Sequence, residues 1–172
     1  TLRVHRFELP SLANRTTVLE ANLWISRLIM PKDGLLAAAS WDGGVWTLGL
    51  ADGARRTIPG KESLLDLSAG PGGTWITLSE EGQIHTLQEG GTPLHRFKAK
   101  GARRLAMSTA GVLAVLVGSS DVMLYRQSGV RWVESRRVRL PHPAAGSAPL
   151  PLDTGRWVVL TTDGPFFFAD TP

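Results

Sequence analysis

The chain has four histidines, His5, His85, His95 and His142, and no cysteine. None of the histidines stands at His-x-x-x-His spacing. Zinc is held by clustered His, Cys and carboxylate ligands a few residues apart, so the sequence offers no zinc site and no thiol chemistry. His85 and His95 could approach each other across a hairpin, but they read more simply as two separate surface or edge histidines. No Asp-x-Asp-x-Asp calcium loop and no Gly-x-Ser-x-Gly elbow occurs. Gly70-Pro71-Gly72-Gly73 lacks both the Lys-Ser/Thr ending and the following helix that a phosphate loop needs, and reads as a turn. Glu80 and Glu81 are adjacent carboxylates in a turn that point outward, unlike an acid/base pair. The expectation is a protein that is not an enzyme, with no catalytic residues, no metal and no cofactor.

The chemistry that remains is recognition. Of nineteen basic residues, ten lie between Arg96 and Arg139 against two acids there, Asp121 and Glu134, so this stretch carries +8 while the whole chain carries +4. Such a block can steer an acidic protein surface or a nucleic acid. Six tryptophans accompany it: Trp24, Trp41, Trp46, Trp75, Trp132 and Trp157. Exposed Trp beside Arg is the usual chemistry of interface hot spots. Trp46 and Trp132 lie on strands with polar neighbours and are read as exposed anchors. Arg126, Arg131, Trp132, Arg136, Arg137 and Arg139, with Trp46, are the candidate partner-binding residues. The Pro-rich stretch 141–149 beside them is expected to be exposed and extended.

The elements that position these residues come from a repeat. Gly34, Gly73, Gly111 and Gly155 each open a run of mostly apolar residues, and a turn signal follows nine residues on, at Gly43, Gly82, Ser120 and Gly164. A second short strand follows each turn, at 45–48, 84–87, 122–125 and 166–168. Asp-Gly or Glu-Gly between two apolar runs is a hairpin signal, because tight turns need positive φ and glycine supplies it at low cost. Trp75 and Trp157 occupy the same repeat position and are expected to be core. Nineteen Gly and eleven Pro suit a chain of many turns and short strands. A period near 40 residues with about four strands per unit marks a β-propeller blade.

Residues 37–53, AlaAlaAlaSerTrpAspGlyGlyValTrpThrLeuGlyLeuAlaAspGly, resemble the second and third strands of a WD-repeat blade, and the other three copies are weaker versions. The third strands end in Leu48-Gly49, Leu87-Gln88 and Tyr125-Arg126 where the family has Trp-Asp, and the family's Gly-His pair is missing. Ser40-x-Asp42-x-Gly44 also partly resembles the structural Asp-box turn of sialidase-type propellers. The resemblance implies an all-β fold: one domain, 1–172, forming a small propeller of about four blades at 22–60, 63–98, 102–140 and 147–171. The strand at 2–9 is expected to complete the last blade beside 165–170 and close the ring. An open half-propeller completed by another chain or by a missing segment is the rival arrangement.

Propellers of this kind commonly serve as scaffolds. The expected function is binding of another protein, as a subunit of a larger complex, through the Arg/Trp edge of the third blade. Binding of nucleic acid or another polyanion through the basic stretch is the less favoured alternative, and a ligand or glycan over the channel is a third. No membrane insertion is expected, since the longest apolar run, Val112 to Val117, has six residues. The first thirty residues carry Arg3, Arg6, Glu8 and Arg15 without an apolar stretch, which points to a cytoplasmic protein. Alanine-, glycine- and arginine-rich usage suggests a bacterial source.

Overall fold

The computed structural model describes residues 2–8, 13–21, 24–32, 34–129, 131–153 and 155–171, with side chains described from Trp24 onward. The chain is all-β in its regular elements, save one 3-10 turn at Pro71–Gly73. A first hairpin pairs β1 (Leu2–Glu8) with β2 (Ala13–Ala21). Blade 1 follows, with β3 (Ile25–Lys32), β4 (Leu35–Ser40), β5 (Val45–Gly49) and β6 (Arg55–Ile58). Blade 2 comprises β7 (Leu64–Ala69), β8 (Trp75–Ser79), β9 (Gln83–Leu87) and β10 (Pro93–Lys98). Blade 3 comprises β11 (Ala102–Met107), β12 (Val112–Val117), β13 (Asp121–Ser128) and β14 (Arg131–Arg139). Blade 4 has three strands, β15 (Leu150–Pro151), β16 (Arg156–Thr161) and β17 (Gly164–Ala169). Every sheet is an antiparallel meander in chain order, the four-blade arrangement that the repeat predicts.

The repeated pattern brackets the second strand of each blade, with a glycine in the turn before it and a hairpin turn to the third strand after it. Gly34, Gly73, Gly111 and Gly155 all have positive φ and stand before β4, β8, β12 and β16. At the far end, Gly82 (φ 77°) receives a turn: its N–H donates to the Ser79 carbonyl at 3.0 Å, and its own carbonyl accepts the Ala99 N–H at 2.9 Å. A Cβ at Gly82 would stand 2.6 Å from the Ala99 carbonyl oxygen, so the position excludes every side chain.

The blades pack face to face in sequence order. Ala37, Ala39, Val45, Ile58, Leu64, Leu67 and Trp75 fill the wedge between blades 1 and 2. Ile76, Leu78, Ile84, Leu105, Leu113, Val115 and Tyr125 fill the next. Val112, Leu116, Val122, Leu124, Trp157 and Val159 fill the third, where Trp157 stacks on Phe168. Trp75 and Trp157 are core residues, as their shared repeat position predicts. The first strand of each blade touches that of the next, β3 with β7 and β7 with β11, while β11 touches β15.

Two expectations are corrected. The strand at 2–9 (residue 9 lies outside the described residues) does not complete the last blade: β1 pairs with β2 over Leu2↔Ala21 to Glu8↔Ala13. A partner a few residues away closes a far shorter loop than one at the opposite end of the chain, at lower entropic cost. Among the described residues, blade 4 therefore keeps three strands and an unpaired edge at β17. The Pro-rich stretch 141–149 is also less free than expected. Ala144 N–H donates to Ser119 O at 2.6 Å, Ala145 N–H to Leu160 O at 2.8 Å, and Ala148 is buried.

Candidate interaction edge on the third blade

The candidate arginines converge on β14, the outermost strand of blade 3, and on its partner β13. Their arrangement is set by a β-bulge. The register pairs Tyr125 with Glu134 but Leu124 with Arg136, leaving Ser135 as the extra residue, its hydroxyl donating to Leu124 O at 3.2 Å. One inserted residue moves every later side chain to the other face of a strand. Cross-strand partners share a face, so Arg137 and Arg139 follow Met123 and Asp121 toward blade 2, while Arg136 follows Leu124 toward blade 4.

The basic cluster is consequently divided. On the blade 4 side, Arg126 pairs with the buried Asp170 at 3.2 Å, and half-buried Arg136 donates to Ala169 O at 2.9 Å and to Thr171 O. These two arginines tie blade 3 to the end of β17. On the blade 2 side, Arg137 pairs with Glu134 at 3.3 Å, and Arg139 grips Asp121 at 2.9 and 3.2 Å. Arg131 is exposed at the start of β14, and Val133, two residues on along the same strand, is 51% exposed. Val133 stands opposite Arg126, and Arg131 opposite Ser128, so both lie on the blade 4 side.

The two tryptophans are not the free anchors expected. Trp132 is half-buried against the blade 2–blade 3 core, and its indole N–H donates to Thr86 Oγ1 at 3.0 Å. A buried aromatic with a satisfied polar handle is a packing residue. Trp46 is also half-buried, between Ala38 and Thr57 on the side of blade 1 away from blade 2, and lies far along the chain from the third-blade cluster. His85 and His95 do not converge: the register places His85 opposite Arg96 and His95 opposite Thr86, so the two rings leave opposite faces. His85 instead borders a cleft of about 290 Å³ between blades 1 and 2, with Glu62 Oε2 at 3.8 Å, Lys61, Thr77 and Leu87. Among the described residues, no three His or acidic side chains cluster as metal ligands.

One polar centre escaped the sequence reading. Asp66 on β7 is fully buried and accepts the Leu67 N–H at 2.9 Å and, from blade 3, the Leu105 N–H at 2.8 Å, while Arg27 of blade 1 approaches at 3.2 Å. Beside it, Ser68 Oγ accepts the Met107 N–H at 3.1 Å. Burial pushes the Asp66 carboxyl above its ordinary pKa, and the Leu105 N–H, Arg27, the Leu67 N–H and Arg104 pull it down less strongly. The signal was present in the spacing. Arg27, Asp66 and Arg104 are 39 and 38 residues apart, the same intervals as the opening glycines, so charges of alternating sign recur at one position on consecutive inner strands. The centre fastens three blades together.

No family model and no curated protein matches the sequence. Solved structures match in shape. BamB from Moraxella catarrhalis shares 18% identity at a TM-score of 0.62, over 81% of this chain and 41% of that one. The WD40 repeats of RRP9 share 14% at 0.67, over 88% and 53%. BBS1N, solved in complex with ARL6DN, shares 13% at 0.72, over 92% and 56%. The chain thus spans about half the length of the structures it resembles. At these identities the likeness concerns the fold, and the chain folds as a β-propeller of four WD-repeat-like blades.

Proposed function

We propose that the chain is a non-catalytic propeller module that binds another protein, as a subunit of a larger complex, through the outer edge of blade 3. The observation that carries this reading is Val133, half exposed on the outermost strand and flanked on its own face by Arg126 and Arg131. An apolar centre with cationic neighbours suits a partner presenting an apolar side chain between carboxylates, with the charges steering approach and the apolar contact holding it. Arg137 and Arg139 extend the positive edge toward blade 2. Trp132 supports the edge from beneath, and Trp46 belongs to a different surface. That BBS1N was solved with ARL6DN supports the reading that a propeller of this shape takes protein partners. A cytoplasmic setting, suited to a chain without cysteine, belongs to the same proposal.

Nucleic-acid binding is the weaker reading, because four of the five arginines already face carboxylates or carbonyls of this chain. Affinity capture from the source cells, with wild type against Arg131→Glu/Val133→Glu, tests the proposal. One set of bound proteins should be lost with the double variant, while its thermal midpoint stays unchanged. An unchanged protein set would overturn the reading. Tight binding to duplex DNA that falls steeply with salt would favour the polyanion alternative instead.

A further inference from the structure

The three blade junctions share one register but are filled differently. Trp75, Leu113 and Trp157 pair across their hairpins with Leu87, Tyr125 and Phe168, and Thr77, Val115 and Val159 pair with His85, Met123 and Phe166. Cross-strand partners share a face, here the one toward the preceding blade. Between blades 2 and 3, Tyr125 meets Phe97 of blade 2 with ring centroids 4.8 Å apart. Between blades 3 and 4, Phe166 and Phe168 stack at 6.1 Å. Between blades 1 and 2 the corresponding places hold His85 and Leu87. Ile58, opposite Val45, stands there as Phe97 stands opposite Ile84. No aromatic ring fills these positions at the first junction.

The space left is the cleft of about 290 Å³ that His85 borders. A cavity of about 150 Å³ holds one benzene ring, so this volume suits two fused rings. Ile58 and Leu64 are buried within it, whereas Leu87 is half-buried and Pro59 and Pro93 are exposed, so the cleft opens to solvent. Its polar point is His85 Nε2, which is buried and has no hydrogen-bond partner among the described residues. Glu62 Oε2 stands 3.8 Å away, too far to bond. A buried nitrogen left unpaired is costly, and a ligand that bonds it removes that cost. A hydroxyl both donates and accepts, so one oxygen taken between these two groups can bond both. The Glu62 side chain is 46% exposed on the loop between the blades and has room to turn and admit it.

We propose that this cleft binds a small two-ring aromatic molecule carrying one hydroxyl. Its rings take the place that Phe97 and Tyr125 fill at the next junction, and its hydroxyl bridges His85 Nε2 and Glu62. A single ring, such as a tyrosine of a protein partner would bring, fills only about half of the space. The cleft lies on the face of blade 2 away from blade 3, so this site is independent of the partner edge there.

Fluorescence titration of the chain with 2-naphthol should show saturable binding. Naphthalene, which lacks the hydroxyl, should bind about tenfold more weakly, and phenol more weakly than 2-naphthol as well. His85→Met installs the residue that blade 3 has at this place and should lower the affinity for 2-naphthol to that for naphthalene. Ile58→Phe with Leu87→Tyr transfers the aromatic pair of the next junction and should abolish binding of both ligands without lowering the thermal midpoint. His85→Met, which changes side-chain volume little, keeps the test decisive if the double variant fails to fold. Absence of 2-naphthol binding by wild type would overturn the proposal. So would equal affinities for 2-naphthol and naphthalene, phenol binding as tightly as 2-naphthol, or binding retained by the folded double variant.

Discussion

Arg27 and Asp66 occupy the same position in consecutive repeats and meet at 3.2 Å across the junction of blades 1 and 2. The same carboxylate accepts the Leu105 N–H of blade 3, so one side chain serves three blades. Asp66→Ala would leave two backbone N–H groups and the Arg27 guanidinium without their acceptor. The expected loss is about 3 kcal/mol, within the range for removing one partner of a buried pair, reduced because Arg27 is partly solvated. Urea unfolding of the variant checks it.

The same carboxyl should give a pH signature. Its folded-state pKa is raised by burial, so the native state takes up the proton before the unfolded chain does. Its contribution to stability is therefore complete below the ordinary carboxylate value and is lost as pH rises through the raised one. Wild type should gain stability relative to Asp66→Asn as pH falls from about 7 to about 4, across the carboxyl range. Denaturant melts across that interval measure the difference, and parallel profiles would contradict the assignment.

Two glycines of nearly equal φ separate conformational strain from steric exclusion. Gly111 (φ 76°) has nothing within 4 Å of a built Cβ, whereas at Gly82 (φ 77°) the Cβ would lie 2.6 Å from a carbonyl oxygen. Gly111→Ala should cost about 1 kcal/mol, the left-handed penalty alone. Gly82→Ala should cost clearly more, because backbone must move as well. Thermal melts of the two variants give the comparison.

On one strand of blade 4, Trp157 is fully buried while Leu160 is half exposed. Trp157→Ala should cost about 3–5 kcal/mol by cavity formation between blades 3 and 4. Leu160→Ala should cost under about 1 kcal/mol. Equilibrium unfolding of both variants distinguishes them.

Arg136 and Arg139 have the same chemistry in different settings. Arg136→Ala should cost about 2 kcal/mol, because a half-buried guanidinium binding two carbonyls is a charge-assisted contact. It should also speed hydrogen exchange at the end of β17. Arg139→Ala removes an exposed pair and should cost under about 1 kcal/mol.

The blade pattern was legible because turns and buried strands leave periodic marks: Gly73 and Gly111 recur with Trp75 and the Val112 run at matching places. The direction of the arginines was not. Spacing along β14 reads Arg136, Arg137 and Arg139 as one cluster, and only the unpaired Ser135 shows that they divide between two faces. Trp132 looked exposed because its neighbours are polar, yet the Thr86 hydroxyl that accepts its N–H is forty-six residues away. Strand 2–8 carried no mark of its partner, since pairing is decided by loop length and edge availability. Asp66 was overlooked because a lone aspartate in an apolar run resembles a surface residue until its donors are seen on the neighbouring blade.

Blades that touch only their sequence neighbours form a short linear array, in which a defect at one end has no direct route to the other. The Asp66 carboxylate alters that grammar by tying first and third units to the second. Opening should therefore begin at the last blade, which the carboxylate does not reach, while the first three give way as one cooperative block.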